Sequence, residues 1–324
     1  MKRYILKRLI MMIPLLFGIT IISFSVIHLA PGEPIDMATD LNPKANTEMK
    51  NRLREYYGLD KPVLQQYTAW LGKILVLDFG RSFSPDRKPV LQKIRESLPK
   101  TIIINAVSMF FIFLIAIPIG IMSATHQYSF IDKFTTVFVF IGFATPTFWL
   151  ALLLMLLFGV HWGVLPISGW SSLNTEGFTM IEKFLDVAKH LVLPIFVSSF
   201  TSLAGISRYM RGNMLEVIRQ DYILTARAKG LKERTVTYKH ALRNALLPVI
   251  TIIGFSIPAM IGGSVIFESI FAIPGMGMLF YTSVMSRDYS VIMGILVIGA
   301  ILTLIGNLVA DVSYALADPR IRQE

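Results

Sequence analysis

The densest chemistry in this chain lies between residues 208 and 247. Positions 208–243 hold nine Lys/Arg and three Asp/Glu, a net charge of +6. Inside that stretch runs Glu216-Val217-Ile218-Arg219-Gln220-Asp221-Tyr222-Ile223-Leu224-Thr225-Ala226-Arg227-Ala228-Lys229-Gly230-Leu231. Apolar residues at 215, 218, 222 and 226 fall on one face of a helix. Acids sit early, Lys229 sits late, and Gly230 follows as a C-terminal stop. A second helical stretch, Glu233–Leu247, runs into Pro248. A loop that only anchors topology needs charge alone. This one adds helical patterning and the small residues Ala226, Ala228 and Gly230, which let another protein approach the backbone. An amphipathic helix received by a partner's groove is a recurrent recognition mode. The chemistry offered is docking rather than bond making.

Catalytic constellations are absent from the sequence. It has no G-x-x-x-x-G-K-[ST] loop for nucleotide phosphates, no H-E-x-x-H pair for zinc and no G-x-S-x-G nucleophile elbow. Histidines 28, 126, 161, 190 and 240 are too scattered to suggest a metal cluster, and there is no cysteine. The chain therefore reads as a non-enzyme that binds no cofactor of its own.

The elements that must position the loop are hydrophobic. Of 324 residues, 54% are hydrophobic and only 16% charged. Soluble domains average about 25% charged, so the composition belongs to the membrane class. Uncharged runs at Leu9–Ala30, Ile102–Ala124, Phe134–Val160, Leu191–Ile206, Ala245–Phe267 and Ser290–Ala310 read as six transmembrane helices. The first is longer than a signal-peptide core and lacks a cleavage site, so it reads as retained. Ser269–Ser286 is apolar but broken at Ile273-Pro274-Gly275-Met276-Gly277, and reads as re-entrant or interfacial.

Net charge of +10 fits a positive-inside bias better than nucleic-acid binding. Residues 161–189 carry two Lys against three acids, and 268–288 one Arg against two acids. The cationic loop is therefore cytoplasmic, with both termini on the same side. The expected fold is an all-α membrane protein in three parts. Residues 1–30 are a cytoplasmic N-terminus and first helix, and 31–100 a soluble extracytoplasmic subdomain. Residues 101–324 are a core of helices 2–6 with a two-helix loop at 208–247 between helices 4 and 5. The 31–100 subdomain carries twelve Lys/Arg and nine acids, but long translocated segments are largely exempt from the charge rule.

The stretches Thr225-Ala226-Arg227-Ala228-Lys229-Gly230-Leu231 and His240-Ala241-Leu242-Arg243-Asn244-Ala245-Leu246-Leu247-Pro248 resemble the coupling-loop signature of ABC-importer permeases. The likeness is greatest to the dipeptide/oligopeptide/nickel branch. Further stretches match it in order: Leu29-Ala30-Pro31-Gly32-Glu33-Pro34, Tyr57-Gly58-Leu59-Asp60-Lys61-Pro62, Asp78-Phe79-Gly80-Arg81-Ser82-Phe83, Ala144-Thr145-Pro146-Thr147-Phe148-Trp149-Leu150, Leu165-Pro166-Ile167-Ser168-Gly169 and Asp318-Pro319-Arg320-Ile321-Arg322. The general family pattern opens on a glutamate where this chain has Leu224, and places a late proline where it has Arg243. A single acidic coupling residue is thus not implied.

The resemblance implies an inner-membrane permease whose loop docks into a separate ATPase. It also implies a second, similar permease (a heterodimer is favoured in this branch), two ABC ATPase subunits and an extracytoplasmic substrate-binding protein. ATP is used by the partners. The coupling residues implied are Glu216, Asp221, Tyr222, Thr225, Ala226, Arg227, Ala228, Lys229, Gly230 and Leu231. Peptides are the expected cargo, with nickel chelates and oligosaccharides open. Two rival readings remain at this point: an ion-coupled secondary transporter, which needs mid-membrane ionisable groups and often an internal repeat, and a membrane-embedded enzyme.

Glu268, where a span meets the outer face, reads as either a solvated acid or, with Pro274, Gly275 and Gly277, a gate or docking element. Asp311 suggests an ion pair, and Asn105 and Asn307 suggest interhelical hydrogen bonds. Pro118, Pro146 and Pro258 suggest bends.

Overall fold

The structure is a computed structural model that describes residues 2–29, 48, 51, 52, 54, 55 and 58–317. Ala30–Pro34, Tyr57 and Asp318–Arg322, which entered the family resemblance, lie outside the described residues. So does most of the first half of the expected 31–100 subdomain.

The described residues are nearly all helical and form no strand. In order they are α1 (Lys2–Leu29), α2 (Val63–Leu75), α3 (Val90–Thr125), α4 (Phe130–Ala144), α5 (Thr147–His161), α6 (Met180–Ile218), α7 (Asp221–Ala228), α8 (Glu233–Ala245), α9 (Leu247–Ala259), α10 (Val265–Ile270), α11 (Met276–Met285) and α12 (Tyr289–Ala317). The second half of α5 and the middle of α8 are π-helical. Among the described residues, four helices have segments long and apolar enough to cross a bilayer: Ile5–Leu29, Val90–Thr125, Met180–Ile218 and Tyr289–Asp311. Two bent pairs could each make a further span: α4 with α5, bent by 98°, and α8 with α9, bent by 42°. The first bend falls at Thr145-Pro146, where proline cannot continue the helix and instead precedes the first turn of α5.

The helices belong to two compact units. One comprises the described residues of 1–101, 261–265 and 274–324. In it, Phe24 and Ile27 of α1 are buried against Ile292 and Met293 of α12, with Tyr67 and Trp70 of α2 beside them. Arg8 pairs with Asp311 at 3.0 Å, the pair expected for Asp311. Asp288 is fully buried as the N-cap of α12, its carboxylate accepting from Val291 N at 3.3 Å and from the Ser82 and Ser84 hydroxyls. Phe79, from the same short motif as Ser82, joins Val90, Ile94, Met276 and Val291 in the second core of this unit.

The other unit comprises residues 102–260 and 266–273. Its helix ends are capped by ordinary means. Ser129 caps α4, and Thr179 with Glu182 forms a reciprocal capping box at the start of α6. One core gathers Ile104, Ala151, Leu191, Val197 and Phe271, closed by Gly169 N donating to Phe271 O at 2.8 Å. The second core supports the site described below.

Several expectations are corrected. The run Leu191–Ile206 is the middle of α6, a 39-residue helix, because polar but helix-compatible residues continue it at both ends. The docking stretch is not one helix. The chain breaks at Arg219-Gln220, with Gln220 extended (φ −75°, ψ 148°), and restarts at Asp221. That break rotates the buried face onto Ile223 and Ala226, so Tyr222 is exposed rather than inward. Glu268 is buried at 3% exposure rather than solvated. Asn105 donates to Met260 O at 2.9 Å as expected, whereas Asn307 lies exposed on α12.

Candidate functional site

α7 is eight residues long, far too short to hold its shape alone in water. Its context supplies the order. Ile223 (0% exposed) and Ala226 (6%) are buried among Ile121 and Ala124 of α3, Met210 and Met214 of α6, Val236, Ala241 and Ala245 of α8, and Val249 of α9. The short helix is therefore seated on the ends of four longer ones.

Its C-terminus is closed by a two-bond cap. Gly230 N donates to Arg227 O at 2.9 Å, and Leu231 N reaches Ala226 O at 3.4 Å. The reversal needs Gly230 at φ +76°, a region costly for residues with a Cβ. Arg227 then bridges to α8 through two contacts with Glu233, Nε–Oε1 at 2.8 Å and Nη2–Oε2 at 3.3 Å. Tyr222 OH accepts from Asn244 Nδ2 at 2.7 Å. α7 and α8 are thus braced at both ends.

The sequence-chosen residues divide by face. Ala226 faces inward. Glu216, Asp221, Tyr222, Thr225, Arg227, Ala228, Lys229, Gly230 and Leu231 are exposed, together with Leu224. Leu224, at 53% exposed, and Tyr222 and Leu231, near 40%, put apolar surface on the outward side of a cationic segment. Nine of the ten sequence-chosen positions, and Leu224, are exposed around the buried pair Ile223 and Ala226.

A buried ion pair close to this seat escaped sequence reasoning. Arg211 of α6 donates from Nε to Asp132 Oδ1 and from Nη2 to Oδ2, both at 3.0 Å. The Ser123 hydroxyl of α3 donates to the same carboxylate, and Tyr128 N donates to it at 2.9 Å. Asp132 is 4% exposed. This knot ties α4 to the ends of α3 and α6 that carry the α7 cluster. The only signal was an acid in a short polar link and an arginine 79 residues later.

A separate cavity of about 480 Å³ opens between α3, α4, α6 and α9. Asn105, Ser108, Ser198, Thr201, Ser202 and Ser256 line it beside Met109, Phe143 and Met260. Small hydroxyl side chains add polar points to a mainly apolar recess that carries no fixed charge.

The gate candidates fall in different units. Glu268 lies in α10, and its carbonyl accepts from Ile273 N at 2.8 Å, closing the turn that ends the helix. Pro274, Gly275 and Gly277 belong to the other unit. Gly275 precedes α11, and Met276 N donates to Thr101 Oγ1 at 2.8 Å. At Gly277 a Cβ would meet Ser264 C at 2.6 Å and Val265 N at 2.7 Å, so only glycine lets that backbone pass.

Comparison with known proteins decides the class. Residues 116–323 match the family described as binding-protein-dependent transport system inner membrane component, and residues 1–105 match the N-terminal segment of the same kind of membrane component. The chain belongs to that family. Among its curated relatives, the oligopeptide transport system permease protein AppB of Bacillus subtilis is 47% identical over 321 residues, covering 99% of both chains. The di/tripeptide transport system permease protein DppB of Pseudomonas aeruginosa is 35% identical over 340 residues, and the dipeptide transport system permease protein DppB of Escherichia coli K12 is 34% identical over 343, each covering both chains in full. As a binding-protein-dependent inner membrane component, the chain is a multi-pass membrane permease. This family membership favours the importer reading over the ion-coupled one. It also speaks against the enzyme reading, because the family is one of transport components.

Proposed function

We propose that this chain is one of two permease subunits of an ATP-driven peptide importer, and that α7 with the Gly230 turn is its coupling surface. The relatives' peptide-transport names support the cargo class. The structural observation that carries the coupling reading is the two-sided build of α7. Its back is locked by Ile223 and Ala226, while Tyr222, Leu224, Thr225, Ala228 and Lys229 stand outward. A segment held that way transmits a push from a partner rather than absorbing it.

In this reading α1, α3, α4 with α5, α6, α8 with α9, and α12 make six crossings, and α7 lies at the cytoplasmic face with both termini. The charge bias of residues 208–243 supports that orientation. Residues 31–100 form an extracytoplasmic subdomain that helps receive a substrate-binding protein. Two ATPase subunits engage the α7 surfaces of this chain and of a second, homologous permease. Closure of the ATPases on ATP moves α7, and its seat moves α3 and α6 with it. The cavity lined in part by Asn105, Ser108 and Ser256 faces the path the substrate takes. Glu268 in α10 and, in the other unit, the Pro274–Gly277 turn are each candidate gate elements.

The test is reconstitution of this chain with its partner permease, ATPases and binding protein in proteoliposomes. The proposal expects uptake of labelled di- to oligopeptides that needs both ATP and the binding protein. Uptake driven by an ion gradient without ATP would refute it.

A further inference from the structure

A second recess, of about 210 Å³, lies between α3, α4 and α6 beside the Asp132–Arg211 knot. Its walls include Ser123, Thr135, Thr136, Phe140, Arg208 and Arg211. The two arginines differ in their partners. Arg211 is neutralised by Asp132. Arg208 has no acidic partner among the described residues, and its guanidinium carbon stands 5.8 Å over the Phe140 ring. It lies one helical turn from Arg211, about 4.5 Å farther from α7 and toward the middle of α6. An arginine without a counter-charge in a spanning helix is expensive and is normally matched by water or an anion.

The surroundings point to the membrane interface. Phe130, Phe134 and Phe138 are exposed on α4 and stack in series with ring centroids 6.2 and 6.4 Å apart. An exposed apolar row of this kind along a helix marks a side that faces lipid. Basic pockets between helices on the cytoplasmic side suit anionic headgroups, and the cytoplasmic leaflet is rich in them.

We propose that this recess binds a phosphate group, that of an anionic phospholipid headgroup, through Arg208 with Arg211 beside it. The side of the membrane rests on the orientation given under Proposed function. Arginine forks are well matched to phosphate oxygens, and among the described residues none bonds the Arg208 fork. Because the recess abuts the knot that ties α3, α4 and α6 under α7, an occupant would bear on the coupling seat.

The experiment uses the full complex of permeases and ATPases in discs of phosphatidylcholine with and without phosphatidylglycerol, read by native mass spectrometry of retained lipid. The parent should retain phosphatidylglycerol over phosphatidylcholine. Arg208→Gln should lose that preference by about fivefold, the factor that one arginine near the surface contributes toward anionic lipid. Arg208→Lys, which keeps the charge, should retain most of it. Adding inorganic phosphate separates the sources of the anion. Displacement of the lipid would make the site a free-phosphate site, and no displacement would make it a headgroup site. Equal retention by the parent and Arg208→Gln, or a recess covered by an acidic segment of the second permease, would overturn the proposal. The same spectra show whether the ATPases are bound. Intact complexes without lipid preference sink this inference alone, whereas a chain never found with an ATPase sinks the underlying reading.

Discussion

Arg211 holds Asp132 through two parallel contacts of 3.0 Å, joining α6 to the first turn of α4 across 79 residues of sequence. The carboxylate is 4% exposed and takes two further donors, so all of its bonding capacity is used in this knot. Removing one member leaves a buried charge unmatched. For Asp132→Ala or Arg211→Met we expect a loss of about 3 kcal/mol, the lower end for a broken buried pair because Arg211 is about a third exposed. Arg211→Lys keeps charge but not the fork, and should fall between. Thermal unfolding of the purified complex checks the order. Parent-like stability of Asp132→Ala would show that the knot carries no weight.

Ala226 and Ala228 are two residues apart, and they separate folding from docking. Ala226 is buried against α3 and α6, whereas Ala228 is exposed. Ala226→Leu overfills the seat and should cost about 1–3 kcal/mol. Ala228→Glu should leave stability within about 0.5 kcal/mol, as surface changes do, yet sharply reduce association with the ATPase. Stability and co-purification of both variants check this. The reverse pattern would mean the exposed face is not the docking face.

Gly230 tests the turn. No heavy atom lies within 4 Å of a Cβ built there, so a side chain meets only the conformational cost of φ +76°. Gly230→Ala should cost about 1 kcal/mol, and Gly230→Asn less, because Asn tolerates this region better. The checks are thermal stability and transport-coupled ATP hydrolysis. Equal tolerance of Val at this position would argue that the two-bond cap is dispensable.

Gly277 is the opposite case. Its built Cβ collides with backbone atoms of Ser264 and Val265, which cannot rotate away. Gly277→Ala should therefore destabilise by at least about 1–3 kcal/mol, the range for an overpacked site. Gly72→Ala, with nothing within 4 Å, serves as its control and should be neutral or slightly stabilising. Melting curves for both variants decide it.

What the sequence discloses depends on whether one residue carries the signal. Gly230 and Pro274-Gly275 are local backbone devices, and the stop after α7 and the break before α11 both appear where those residues stand. Apolar length marks α1, α3 and α12 in the same direct way. The break at Arg219-Gln220 has no glycine or proline to announce it. It exists because Ile223 and Ala226 must meet Met210 and Met214, a tertiary demand that overrides helical continuity. The Asp132–Arg211 pair and the burial of Glu268 share that origin, since each depends on what distant segments place alongside. The stretch proposed to dock was legible as patterned and cationic. Which of its residues face outward was not.

The most direct test of the account uses single cysteines, since the chain has none of its own. Leu224→Cys or Lys229→Cys, on the outward side of α7, should cross-link to the ATPase subunit in the assembled complex and resist membrane-impermeant labelling from outside the cell. Ala226→Cys, on the buried side, should do neither. If Leu224→Cys is labelled from outside, or joins no ATPase while transport persists, α7 is not the coupling surface.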